Sequence, residues 1–299
     1  YRQIFAQLYS KLKEQEPDYI VHCGDIAHTK TQLSPEFFEL AREFLTGLAD
    51  IAPTYVILGN HDGNLKNSNR QDAITPIVDA LQNPNIFLLK NSGEVHLNGG
   101  FSLNVLSVFD EEGWVKPSNP DRINIGLYHG SISGVMTDSG WVMTHGEHPI
   151  EIFEGHDYAF LGDIHKTDQR LDEEGRIRYC GSTIQQNHGE SNDKGFLLWD
   201  ITDKEEFTCK HIELKNPKPF FTVYLTPTGK IPRGTVVPPS CRLRLVSNNN
   251  LPLDVMRKAI DVSKRRFQPE SISFLNRASG QRGNVEDMTS GLEVEDLRS

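Results

Sequence analysis

The stretch YIVHCGDIAH, residues 19–28, restricts what this chain can become more than any other. An apolar run of strand character stops at Gly24, and Asp25 follows at once, so a carboxylate is expected at the carboxyl end of a buried strand. In open α/β sheets, ligands gather at that edge. The same order returns in TYVILGNHD, residues 54–62, where strand and glycine are followed by Asn60, His61 and Asp62. Two strands therefore bring carboxylate, amide and imidazole groups to one rim.

Two later segments repeat the arrangement. RINIGLY, 122–128, runs into His129 and Gly130, and YAFLGDIH, 158–165, ends on Asp163 and His165. Between these strands the hydrophobic spacing is helical. Ile4, Phe5, Leu8, Tyr9 and Leu12 predict an opening amphipathic helix. Ser34 and Pro35 mark the start of a second helix, with Phe37, Phe38, Ala41, Phe44, Leu45 and Leu48 on its inner face. Ile74, Ile77, Val78 and Leu81 predict a third over about 71–81. EVHL and FSLNVLSV read as a hairpin turning at Gly99-Gly100, and QRLDEEGRIRYC as another turning near Glu174-Gly175. Residues 131–157, rich in Gly and His, are expected to be a surface excursion. The alternation of helix and strand predicts a layered α/β domain.

The strand runs GFLLWDI and FTCKHIEL are expected to close a main domain over 1–214. KNPKPF reads as a linker, and 215–276 as a small α/β cap of strands and one helix from Pro252 to about Arg266. The polar, acidic stretch 277–299 is expected to be disordered. Charge divides along the same lines. Residues 215–266 hold eleven Lys or Arg against only Asp254 and Asp261, a balance of +9 in a chain of net charge −10. Acidity elsewhere suits a cation site, while the basic segment suits a phosphate backbone.

No run approaches the roughly 18 consecutive apolar residues of a membrane span, and no charged-then-apolar leader opens the sequence. A cytoplasmic protein with no membrane partner is expected. Cys23, Cys180, Cys209 and Cys241 lie far apart without metal-knuckle spacing, which predicts reduced thiols.

Divalent cations such as Mn²⁺ accept carboxylates, amide oxygens and imidazoles together, and Asp25, Asn60, His129, Asp163 and His165 offer that mixture. A pair of such cations can clamp a phosphoryl group for in-line attack. Taken singly, each block has a plainer reading, because Asp and Asn are common in caps and turns. Asp163 in particular could cap the segment that follows it.

The series G-D-x-x-H, G-N-H-D, a strand ending in H-G, and G-x-x-H resembles the calcineurin-like metallophosphoesterase superfamily. GDIAH, ILGNHD and LGDIH followed by YCGSTIQQNHGE are most similar to the SbcD-type nuclease subunit of SMC-linked DNA repair complexes, over about residues 1–215. The resemblance implies two packed β-sheets flanked by helices, with the small α/β cap after them. It implies that Asp25 bridges two metals, that Asn60, His129 and Asp163 complete one site, and that His165 serves the other. His61 would protonate the leaving oxygen, oriented by Asp62, and His28 would position the nucleic acid. Two ions, Mn²⁺ with Mg²⁺ as the alternative, are implied as cofactors.

Two departures from that family qualify the resemblance. Its first block, Asp-x-His, belongs to a strand before the opening helix, and this sequence begins at that helix. An N-terminal fragment of a longer polypeptide is the expectation, with a one-metal or inactive relative as the alternative. Most relatives carry G-H-x-H where Gly162-Asp163-Ile164-His165 stands here, and the extra carboxylate should favour Mn²⁺ or Mg²⁺ over zinc.

The activity so implied is metal-dependent hydrolysis of DNA phosphodiesters in repair or recombination, exonucleolytic with endonucleolytic cleavage left open. A small-molecule or protein phosphoesterase and a non-catalytic DNA-binding or scaffold subunit are the alternatives. DNA, an SMC-type coiled-coil ATPase and a second copy of the chain are the implied partners. Arg257, Lys258, Lys264, Arg265 and Arg266 are candidate phosphate contacts, though by default they form the wet face of a helix. His188, in the polar loop 181–190, stands between a substrate contact and a loop-structural role. His145 and His148, with H-x-x-H spacing, read as solvated surface.

Overall fold

A computed structural model describes residues 1–29 and 33–277. The chain begins α1 (Arg2–Gln15), β1 (Ile20–His22), α2 (Pro35–Ala49), β2 (Thr54–Ile57), α3 (Thr75–Leu81), β3 (Ile86–Leu89). There follow β4 (Gly93–His96), β5 (Phe101–Leu106), β6 (Ile123–His129), β7 (Tyr158–Gly162), β8 (Gln169–Arg170) and β9 (Ile177–Tyr179). β10 (Gly195–Ile201), β11 (Phe207–Glu213), β12 (Phe220–Tyr224), β13 (Arg242–Ser247), α4 (Leu253–Phe267) and β14 (Ser271–Asn276) complete the order.

Two units are formed. The first comprises Tyr1–Ile184 with Gly189–Lys215, the second Gln185–His188 with the chain from Asn216.

In the first unit, β1, β2 and β3 make a parallel sheet in that order, and a larger sheet runs β4-β5-β6-β7-β9-β8. Alternation along each strand sends successive side chains to opposite faces. On β2, Tyr55 and Ile57 meet Leu103, Val105, Ile125, Leu127 and Tyr158 of the larger sheet, while Val56 faces the helices. There it joins Ile4, Leu8 and Leu12 of α1 and Ala41, Phe44, Leu45 and Leu48 of α2. Val56 and Leu45 are fully shielded from water, and burying each such side chain is worth about 1.5–3 kcal/mol. The result is a mixed α/β layering, two sheets packed face to face with helices on the outer side of the smaller one.

Local signals set the helix starts. Ser34 Oγ accepts the Phe37 N–H at 3.2 Å, with Pro35 in the first turn of α2. Four residues of the predicted third helix are not helical. Asp72 folds its carboxylate onto the N–H groups of Ile74 and Thr75 and pairs with Lys90, holding a turn that delays α3 to Thr75.

The stretch 131–157 also departs from expectation. Ile132, Val135 and Phe153 are buried against Leu106, Tyr128, Leu161 and Tyr179, so it covers the outer face of the larger sheet. His148 is drawn into the same wall, its ring 4.7 Å from that of Trp114, rather than solvated. β10 and β11 pair with each other as an antiparallel hairpin outside both sheets.

The second unit holds a parallel sheet β12-β13-β14 with α4 packed on one face. Of the tail expected to be disordered, all but Arg277 lies outside the described residues. No described helix is long and apolar enough to cross a membrane.

Candidate metal centre

The carboxyl ends of β1, β2, β6 and β7 converge because glycines permit it. A Cβ on Gly24 would stand 2.5 Å from His129 Nδ1 and 2.7 Å from the Gly59 nitrogen. One on Gly59 would lie 2.5 Å from the Asp25 nitrogen and 2.7 Å from His129 Cε1, and one on Gly162 2.7 Å from His129 Nδ1. No side chain fits between these backbones.

Asp25, His129 and Asp163 each offer a ligand atom within 4.8 Å of the others. Asp25 and Asp163 hold φ values of 59° and 85°, the left-handed region that non-glycine residues seldom adopt. Such strain persists where surrounding contacts impose it, and functional sites are its common location. Asn60 joins the cluster by donating from Nδ2 to Asp163 Oδ1 at 3.3 Å.

His129 turns an imidazole lone pair towards the two carboxylates. Its Nδ1 donates to the Cys23 carbonyl at 2.6 Å, so in the neutral ring Nε2 carries a lone pair. That Nε2 is buried, 3.3 Å from Asp25 Oδ2 and 3.8 Å from Asp163 Oδ1, yet hydrogen-bonded to neither. Asn60 Oδ1 is likewise buried without a donor. Two carboxylates and an imidazole lone pair within 4.8 Å of one another, beside a residue with a donorless amide oxygen, fit a divalent cation.

Burial lowers the His129 imidazole, but Asp25, the Cys23 carbonyl and Asp163 outweigh this and push it up to about 9. Burial likewise works to raise Asp25, and the adjacent His129 ring reverses the balance, leaving its carboxyl lowered. Asp163 goes the other way, raised chiefly by burial.

The remaining candidates surround this cluster in different ways. His61 is exposed, its backbone N–H donating to Asp25 Oδ1 at 2.9 Å. Its ring Nδ1 meets the His28 carbonyl at 2.7 Å, and the two histidine rings stack 5.9 Å apart. His28 thus orients His61, and the expectation that Asp62 does so is corrected. Asp62 is wholly buried, and its carboxylate accepts the N–H groups of Asp25, Ala27 and Gly59, each at 2.8 Å. These donors tie the loop after β1 to the loop after β2, which is a structural task. Burial pushes the Asp62 carboxyl up to about 6 despite these three bonds.

His165 stands outside the three-residue cluster. Its Nδ1 is 3.1 Å from Glu190 Oε1, a contact that raises the imidazole, and its carbonyl accepts Lys194 Nζ at 2.6 Å. Lys194 is buried, paired also with Asp138 and 3.7 Å from Glu190 Oε2. Sequence reasoning missed Glu190, Lys194 and Asp138; only the i, i+4 spacing of Glu190 and Lys194 hinted at a pair.

His188 and the α4 residues lie in the second unit. Arg257, Lys258, Arg265 and Arg266 are exposed and Lys264 is half-buried. The four cysteines are free thiols.

A family model described as calcineurin-like phosphoesterase matches residues 1–167. The chain belongs to this family. Its members bind divalent metals, and the match spans Asp25, Asn60, His129, Asp163 and His165. Among relatives of this phosphoesterase chain is "Uncharacterized protein R555" of Acanthamoeba polyphaga mimivirus, 36% identical over 291 residues, which cover 92% of this chain and 21% of that protein. A second is "Putative phosphoesterase 244L" of Invertebrate iridescent virus 6, 28% identical over 206 residues, 63% of this chain and 66% of that one. The chain thus spans about a fifth of the first relative's length and just under two-thirds of the second's.

Proposed function

We propose that this metallophosphoesterase hydrolyses phosphodiester bonds in DNA, with Mn²⁺ as the preferred ion, in the manner of the SbcD-type nucleases its motifs resemble. The observation that carries the phosphoester chemistry is the meeting of Asp25, His129 and Asp163 beside the exposed His61. The preference for DNA is supported by the balance of +9 over residues 215–266 in an otherwise acidic chain.

A divalent cation held there would supply Lewis acidity and offset phosphoryl charge. The protein's own groups do the rest. Asp25 and Asp163 place negative charge where a cation must sit, and Asn60 and His129 complete the set with neutral donors. His61 Nδ1 faces a carbonyl that can only accept, so it carries a hydrogen. Nε2 can then donate to a leaving oxygen only when the ring is protonated, which assigns the general acid to the imidazolium form. Arg257, Lys258, Lys264, Arg265 and Arg266 are proposed to meet the phosphate backbone. An SMC-type ATPase and a second copy of the chain are the proposed partners, and repair or recombination the proposed setting.

The test compares linear DNA, an aryl phosphate diester and an aryl phosphate monoester as substrates with Mn²⁺. Preferential turnover of DNA, abolished by His61→Ala with metal still bound, is expected. Turnover of the monoester alone would contradict the nuclease assignment.

A further inference from the structure

The second unit has a face that its core does not use. On β12, β13 and β14, alternate residues, among them Val223, Leu243, Leu245 and Phe274, pack with Ala259 and Met256 of α4. The other set therefore points away from the helix. Parallel register aligns Phe220 with Arg242 across β12 and β13, and Tyr224 lies on the same side two pleats on. Arg244 follows Arg242 on that side, and Arg277 continues it just past β14, its N–H bonded to the Ser247 carbonyl.

The chemistry of this face is uniform. The Arg242 guanidinium lies over the Phe220 ring at 4.8 Å and that of Arg277 over Tyr224 at 5.7 Å. Tyr224 is 51% exposed, unusual for so large a ring. The three strands contain no Asp or Glu. Among the described residues, none of the three arginines has a carboxylate within ion-pair reach, and Arg244 and Arg277 are close enough to lower the Arg244 guanidinium, after burial. At the β12 end, the His188 ring packs edge-on to Phe220 at 4.9 Å and its Nδ1 meets Thr222 Oγ1 at 3.3 Å. Burial and the two arginines Arg244 and Arg242 pull that imidazole down to about 4, so at neutral pH it adds no charge.

Unpaired cations held over aromatic rings, with Tyr224 and Arg277 exposed and Phe220, Arg242 and Arg244 half-buried, suit a ligand that alternates anions with flat π-faces. An unpaired nucleic-acid strand is such a ligand, since phosphates answer the arginines and unstacked bases answer the rings. A duplex keeps its bases stacked inside and presents no ring face to Tyr224. The basic face of α4, on the opposite side of the sheet, has a single such contact, Arg266 over the Phe267 ring at 4.8 Å, and that ring is half-buried against the core of the unit.

We infer that the face of β12–β13–β14 built from Phe220, Tyr224, Arg242, Arg244 and Arg277 is a binding platform for a single-stranded segment of nucleic acid. The inference rests on the DNA-directed reading above and adds to it the strand state and the face that holds it.

The test is fluorescence anisotropy of a labelled oligothymidylate and of a hairpin duplex of equal charge, in EDTA so that no cleavage intervenes. The single strand should bind more tightly than the duplex. Tyr224→Leu, which keeps apolar bulk, should weaken single-strand binding about 5- to 100-fold. Arg242→Gln with Arg244→Gln should also weaken it and flatten its salt dependence, whereas Lys13→Gln with Lys210→Gln, two exposed cations of the first unit, should leave the single-strand preference intact. Circular dichroism melts confirm that each variant is folded, and Arg244→Lys serves if the double variant is not. Unchanged binding in folded Tyr224→Leu, or a duplex preference, overturns the platform. Strand binding without any DNA cleavage in Mn²⁺ would overturn the nuclease reading and leave the platform standing; cleavage with unchanged variants would do the reverse.

Discussion

His129 Nε2 lies 3.3 Å from Asp25 Oδ2, joining the end of β6 to the turn after β1. This contact lifts the metal-free imidazole from 6.5 to about 9 against the pull of burial. Because the folded value is raised, the stabilisation is complete below the unfolded value and is lost as pH rises through about 9. In EDTA, the thermal midpoint is expected to fall between about pH 6.5 and about pH 9.5, and Asp25→Asn should flatten that fall. Scanning calorimetry across the interval checks it; an equally steep fall in the variant would contradict the pairing.

Gly59 gives a second prediction. Any side chain there would enter the space of Asp25 and His129. Gly59→Ala should destabilise the fold by about 1–3 kcal/mol and abolish metal binding together. Urea melts and isothermal titration with Mn²⁺ measure the two losses, and retention of wild-type metal affinity would show that the strand ends do not close as described.

Asp62 separates two roles. Its carboxylate serves three backbone N–H donors and not the His61 ring. Asp62→Ala should therefore cost about 2–6 kcal/mol in stability, through two buried donors and one part-buried donor left unmade. A variant of unchanged stability that had lost only turnover would return Asp62 to the role of orienting His61.

The pair Glu190 and Lys194 anchors His165 from 25 and 29 residues further along the chain. Lys194→Met leaves Asp138 and Glu190 without their buried cation and should cost about 3–5 kcal/mol. Glu190→Gln should be milder on stability but lower metal affinity about 10- to 100-fold if His165 is a ligand. Denaturant melts and Mn²⁺ titration distinguish the two, and unchanged affinity in folded Glu190→Gln would remove His165 from the metal centre.

What could be read from the sequence was local. Gly24-Asp25, Gly59-Asn60 and Gly162-Asp163 each follow an apolar run, and the run, the glycine and the polar group are all visible within ten residues. What could not be read depends on distance along the chain. Glu190 and Asp138 reach the His165 segment only once β7 and β9 are paired and the stretch 131–157 has folded over them. That stretch departs from expectation because Ile132 and Val135 stand among Ser and Gly and the segment 150–153 is too short to show a period, so nothing in the spacing betrays their burial. Asp62 was misassigned for a related reason. Adjacency to His61 in sequence suggested contact, whereas the turn sends the two side chains opposite ways, one to solvent and one beneath the loop.

The account stands on a cation sharing Asp25, Asn60, His129 and Asp163. Crystals of the protein soaked in Mn²⁺ and recorded at the manganese absorption edge test this most directly. The predicted result is an anomalous peak coordinated by His129 Nε2, Asn60 Oδ1 and both carboxylates. A peak elsewhere, or none beside His129 at saturating Mn²⁺, would contradict it.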